Sequence, residues 1–134
     1  MKRLIVVASL IAALALPSLA FAGSASLAFA ASAPSGSYST KLTTPKQFKG
    51  TWLMTFAKGG TYTIKLNGKV VVRGHDLSIG SQIQFEGETG PAACPTPGFY
   101  TFKKSGKKLT FSKVHDVASC SGRSYVLEHP FTAA

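Results

Sequence analysis

From Phe48 onward the chain alternates between apolar and polar positions. Phe48, Trp52, Met54 and Phe56 share one parity with Gly50, while Lys49, Thr51 and Thr55 take the other and Leu53 is the exception. A period of two predicts a strand over 47–57 with one face on a core. Trp52 is the single tryptophan, and a side chain of that kind buries roughly 150–250 Å², so the core is expected to start there. Lys58-Gly59-Gly60 ends the run, and Thr61 to Leu66 alternates again with Tyr62, Ile64 and Leu66 inward. Asn67-Gly68 follows at once. Both residues tolerate positive φ, which makes this dipeptide between alternating runs a strong hairpin signal.

Lys69 to Arg73 forms the return strand, with Gly74 as a bend before His75 to Ile79, so the two pieces read as one bent strand. Beyond Gly80-Ser81, Gln82 to Glu86 points Ile83 and Phe85 inward. Glu88 to Gly98 carries three prolines around Cys94 and reads as an irregular loop. Phe99–Lys103 and Lys107–Ser112 flank Ser105-Gly106 as a further hairpin, with Tyr100, Phe102, Leu109 and Phe111 inward. A loop through Cys120 then leads to a closing strand over Arg123–Glu128, with Tyr125 and Leu127 on one parity. No stretch of the meander has helical periodicity. Seven or eight short strands with tight connections can make an open sheet, a sandwich or a barrel, and closure removes the two exposed edges. The expected fold is therefore all-β: a small antiparallel up-and-down barrel of seven or eight strands over 47–131.

What precedes it has another character. Met1-Lys2-Arg3, an apolar run from Leu4 to Leu16 broken only by Ser9, Pro17, and then Ala20-Phe21-Ala22 have the layout of a secretory signal. Cleavage is expected after Ala22, with Ala28-Phe29-Ala30 as a second candidate. An uncleaved anchor is the competing reading, since the apolar run approaches the ~20 residues of a membrane span; Pro17 and the small residues after it weigh against it. Residues 23–46 are rich in Ala, Ser, Gly and Thr and are expected to form a flexible tail.

Export decides how the cysteines and charge are read. Cys94 and Cys120 are the two cysteines, and in an oxidising compartment one disulfide is the expected outcome. It would close a loop of about 25 residues and contribute roughly 3 kcal/mol in the chain-entropy model. The protein is expected outside the cell, or in the periplasm if its source has an outer membrane. Its formal charge is +10. Loss of residues 1–22 removes Lys2 and Arg3, so 13 of the 15 basic side chains remain against 5 acidic ones, a charge of +8. Lys103, Lys104, Lys107, Lys108 and Lys113 gather around one hairpin, a solubilising face that also attracts anionic surfaces or a secreted protein. An extracellular address argues against nucleic acid, and Phe102 and Phe111 have core parity and are not free for base stacking.

Gly50-Thr51-Trp52 opening the first strand, the run of hairpins, and Arg123 before the closing strand resemble the lipocalin-like, or calycin, barrels, most closely their compact secreted bacterial members. The likeness covers about residues 47–130. It implies that Gly50, Trp52 and Arg123 are structural, the arginine closing one barrel end against the indole by a cation–π contact. It is in keeping with a monomeric, non-enzymatic binding protein that takes a small apolar or amphipathic ligand into the barrel mouth, but it fixes only the closed end and carries over no ligand-contact residue. Inward parity, not the resemblance, makes Phe56, Tyr62, Ile64, Phe85, Tyr100, Phe102 and Phe111 the candidate lining residues, a set bulky enough to compete with a ligand for the interior of a short barrel. The alternative is a secreted interaction module or protease inhibitor working through its surface and N-terminal tail.

Motifs for catalysis or cofactors do not emerge. His75, His115 and His129 carry no metal-binding spacing, and His115-Asp116 beside Cys120 is the pair of greatest interest. There is no Gly-x-Ser-x-Gly elbow and no phosphate-cradling glycine motif. Neither enzyme activity nor a cofactor is expected.

Overall fold

The computed structural model describes residues 32–134; the signal segment 1–22 and both cleavage candidates lie outside the described residues. Eight strands close into an antiparallel barrel in chain order: β1 (Gly36–Leu42), β2 (Gly50–Ala57), β3 (Thr61–Leu66), β4 (Lys69–Ile79), β5 (Gln82–Thr89), β6 (Gly98–Ser105), β7 (Lys108–His115) and β8 (Phe131–Ala133). A seven-residue helix, α1 (Ser121–Leu127), lies between β7 and β8. The expectation of an all-β barrel stapled by one disulfide holds. Cys94 and Cys120 are joined with Cα atoms 5.7 Å apart, as their two loops lie at the same barrel end.

Alternation fills the interior. Trp52, Met54 and Phe56 of β2, Tyr62 and Ile64 of β3, Val72 of β4, Ile83 and Phe85 of β5, Tyr100 and Phe102 of β6, and Leu109 and Phe111 of β7 are all buried. Phe85 is the hub: its ring centroid lies 5.0 Å from Tyr62, 5.8 Å from Tyr100, 5.7 Å from Phe111 and 6.4 Å from Phe56. Edge-to-face geometry at such distances adds to area burial. Asn67 and Gly68 take φ of 49° and 83° as the hairpin requires, and Asn67 Oδ1 accepts from the Thr51 amide at 2.9 Å. That contact explains Gly50. A Cβ there would meet Asn67 Oδ1 and Leu66 Cδ1 at 2.7 Å.

Three expectations need correction. The tail assigned to 23–46 gives up residues 36–42 to the barrel as β1, which pairs along its length with β2 from Gly36↔Phe56 to Leu42↔Gly50. Tyr38 and Leu42 are buried, and two anchors suffice because Ser37, Ser39 and Lys41 cover the other face. Consequently the strand over 47–57 is the second, and Lys46–Phe48 is a 3-10 turn ahead of it. The closing strand expected over Arg123–Glu128 is α1, and β8 takes its place, pairing with β1 through Tyr38↔Ala133 and Ser39↔Thr132 and with β7 through Lys108↔Thr132 and Leu109↔Phe131. Helix α1 buries Ser124, Val126 and Leu127, while Tyr125 stacks on Phe48 at 4.8 Å and donates to Thr44 O. A helix of this length depends on such packing.

Candidate ligand pocket at the disulfide end

The strands that begin or end near Trp52, together with the disulfide loops and α1, enclose a cavity of about 240 Å³. Its walls are Trp52, Ile64 and Val72 from the barrel, Val126 and Leu127 from α1, Phe48, and the rim residues Ala92, Ala93, Cys94, Ser119, Cys120 and Gly122. Glu88 and Arg123 are its charged members. Trp52 is 5% exposed, and its indole N–H donates to Phe48 O at 2.8 Å.

Beside this apolar wall lies a buried ion network. Arg123 is held in α1 with its guanidinium against Gly98, where a Cβ would come within 2.6 Å of Nη2. Its Nε and Nη2 donate to the Asp116 carboxylate at 2.8 and 2.6 Å, Nη2 also donates to Thr96 O at 2.8 Å, and Nη1 donates to Glu88 Oε1 at 3.0 Å. The side chains of Arg123, Glu88 and Asp116 are 5%, 2% and 1% exposed. Two interior hydroxyls complete the network: Tyr62 donates to Glu88 Oε1 and Tyr100 to Asp116 Oδ2. Glu88 Oε2 accepts from the Cys94 amide at 2.6 Å, so the network also holds the disulfide loop.

The titration shifts follow. Burial raises the Tyr62 hydroxyl pKa far above the usual phenol range, with the Glu88 carboxylate adding to it. Tyr100 is raised by burial and by its bond to Asp116. Burial pushes the Asp116 carboxyl up, but hydrogen bonds from Arg123 and Tyr100 and the arginine charge outweigh it and hold the pKa below the ordinary value. For Arg123, burial is outweighed in the same way by its bonds to Asp116 and Glu88, which raise its pKa.

The sequence-derived residues divide clearly. Trp52 and Arg123 both line the pocket, but Arg123 is engaged by carboxylates, and the expected cation–π closure against the indole is replaced by this network. Of the seven candidate lining residues, Ile64 alone reaches this cavity; Phe56, Tyr62, Phe85, Tyr100, Phe102 and Phe111 pack the interior. Asp116 joins the network, whereas its neighbour His115 is exposed with its ring 6.4 Å from Phe99. Glu88 was missed because the pattern ends the strand at Glu86 and reads Glu88 as the start of an irregular loop, whereas β5 runs on to Thr89. The register shifts by one residue between Arg73↔Thr89 and His75↔Glu86, and this bulge at Gly87, whose φ is 60°, turns Glu88 inward.

Cys94, Asp116 and Cys120 offer donor atoms within 4.8 Å of one another. Both sulfurs are spent in the disulfide and the carboxylate is taken by Arg123 and Tyr100, so this set does not fit a metal ion. His129, two residues past the end of α1, has its Nδ1 2.7 Å from Tyr125 O.

A second apolar feature lies outside the barrel. Leu77, Ile79, Phe99 and Val114 are the exposed large hydrophobics of the described residues, and all four line one groove over β4 to β7 together with His115. No protein-family model, curated protein or solved structure matches this chain.

Proposed function

We propose that this is an exported, non-enzymatic binding protein of lipocalin-like type that takes a small apolar molecule into the pocket at its disulfide end. The observation that carries this reading is the 240 Å³ cavity walled by Trp52, Ile64, Val72, Val126 and Leu127, with Arg123 and Glu88 among its lining residues. A concave apolar site with a few fixed polar groups is the usual form of a small-molecule site. The polar groups are bonded to one another, which suits holding a ligand better than turning one over. A disulfide is consistent with an extracellular or periplasmic setting, and eight-strand closure with a Gly-x-Trp strand supports the lipocalin-like assignment. Lys103, Lys104, Lys107 and Lys108 are exposed around the β6–β7 turn, at the opposite barrel end, so attraction to an anionic surface would leave the pocket facing away from it.

The test is uptake of a neutral, naphthalene-sized, polarity-sensitive dye by wild type and by Ala93→Phe, which places a ring at the pocket rim. Saturable binding by wild type, lost in the variant without a change in urea midpoint, is expected. Equal affinity of the two proteins would refute the site. A second reading, a secreted interaction module, draws on the outer groove, since contiguous exposed apolar surface marks interaction sites. Its inhibitor form is weakened because residues 36–42 of the supposed tail belong to the barrel.

A further inference from the structure

The charge and hydrogen-bond inventory of the pocket defines the ligand it can hold, on the reading given above. Arg123 has five N–H donors. Four are committed, to Asp116 twice, to Thr96 O and to Glu88, which leaves one hydrogen on Nη1. Glu88 Oε1 accepts from both Tyr62 and Arg123, whereas Oε2 accepts from the Cys94 amide alone and keeps one lone-pair position. The ion network therefore leaves one donor and one acceptor open on two neighbouring side chains that line the same cavity, and the Ser119 hydroxyl is the one other polar side chain in the lining.

Net charge sharpens this. One guanidinium and two carboxylates carry a formal charge of −1, with side chains at most 5% exposed. A carboxylate or phosphate brought here would add an unpaired buried anion, which is strongly unfavourable. An ammonium is attracted by the charge but carries three donors, and the ion network leaves one acceptor position open to it, with the Ser119 hydroxyl the one further side-chain acceptor in the lining. A hydroxyl meets both open positions. Size follows from volume: an apolar cavity of about 150 Å³ holds benzene, so 240 Å³ holds about ten non-hydrogen atoms by proportion.

We propose that the pocket selects an uncharged, largely apolar molecule of about ten non-hydrogen atoms bearing a single hydroxyl, which accepts from Arg123 Nη1 and donates to Glu88 Oε2. The protein's overall charge of +10 acts in the opposite sense. Its long-range field draws anions, while the pocket rejects them, so the two influences are separable by experiment.

Octan-1-ol, octanoate and octylammonium share one chain and differ in the head group. Each is titrated into the exported protein near neutral pH, read by fluorescence of Trp52, the sole tryptophan and a wall of the cavity, and by calorimetry. Octanol is expected to bind saturably, with Kd at least roughly tenfold lower than either ion. Glu88→Gln removes one buried negative charge and is expected to narrow the gap between octanol and octanoate. Octanoate or octylammonium binding as tightly as octanol, or a gap unchanged in Glu88→Gln, would overturn the selectivity while leaving a small-molecule pocket in place. No saturable signal from any of the three, with the neutral dye also excluded, would remove the pocket reading and this inference together.

Discussion

Replacing Arg123 with methionine isolates what the ion network does. The substitution keeps an unbranched side chain in α1 but removes four hydrogen bonds and leaves Glu88 and Asp116 without their cation at 2% and 1% side-chain exposure. Breaking a buried ion pair by removing one partner typically costs about 3–5 kcal/mol, because the other charge stays buried and uncompensated. Against a total stability of about 5–15 kcal/mol, that is a large share, and at about 4–8 °C per kcal/mol for a domain near this size it lowers Tm by about 12–40 °C. The cost must depend on pH. In the wild type the folded-state pKa of Asp116 lies below its unfolded value, so its contribution is present above the unfolded pKa near 4 and lost as pH falls through the folded value. In Arg123→Met the arginine's bonds and charge are gone and only Tyr100 and the Val117 backbone bond still oppose burial, so the folded pKa rises relative to wild type and acid costs the variant less than it costs the wild type. Urea unfolding followed by Trp52 emission, with the disulfide oxidised, should show a large deficit at neutral pH that shrinks as pH falls toward 4. The triple variant Glu88→Gln, Asp116→Asn, Arg123→Met, which buries no charge, should recover much of the loss. A deficit below about 1 kcal/mol, the level of a surface pair, or one independent of pH, would refute the reasoning.

Two further outcomes follow from the other parts of the barrel. Gly74→Ala would place a Cβ 2.8 Å from Tyr62 Cε1 and 3.0 Å from Glu86 O; with backbone on one side, relief is costly, and thermal unfolding should show a loss of about 1–3 kcal/mol. Asp76 has a carboxyl oxygen that is buried without a hydrogen-bond partner among the described residues, and burial raises its pKa despite its own backbone bond and nearby His75. Its ionised form therefore destabilises the fold above the folded pKa, so Asp76→Asn should raise the urea midpoint at neutral pH and the gain should fade as pH drops through the carboxylate range. A variant less stable than wild type at neutral pH would contradict this.

Strands β2 to β7 were legible because each buries one face only, so that apolar residues such as Tyr62 and Ile64 recur at every second position. Strand β1 was obscured because Ser37, Thr40 and Lys41 resemble tail composition, and its role depends on pairing with β2, which no local pattern encodes. Helix α1 was misread since Tyr125 and Leu127 satisfy a strand period as well as a short helix does; over seven residues the two periods are hard to separate, and Gly122 against Phe48 with Tyr125 on Thr44 O settles the matter by tertiary contact. In the site, Trp52 and Arg123 could be found from their pattern. Glu88 could not, because one extra residue beside Gly87 reverses its face, and bulges of that kind leave only a glycine as their trace.

The short β8 has a consequence for the order in which this molecule assembles. Every neighbouring pair from β1 to β7 is a connection between adjacent segments, whereas the last junction brings Ala133 to Tyr38, across nearly the whole described chain. Closing that loop carries the largest entropic penalty of any pairing in the barrel, and four residue pairs on its two sides hold it. The hairpins can therefore form early and singly, while the ring itself is completed late, by docking of a segment that α1 must first deliver. Until then β1 and β7 are two bare sheet edges on an otherwise finished structure, and the interval before the ring closes is the period in which one copy is most open to pairing with another.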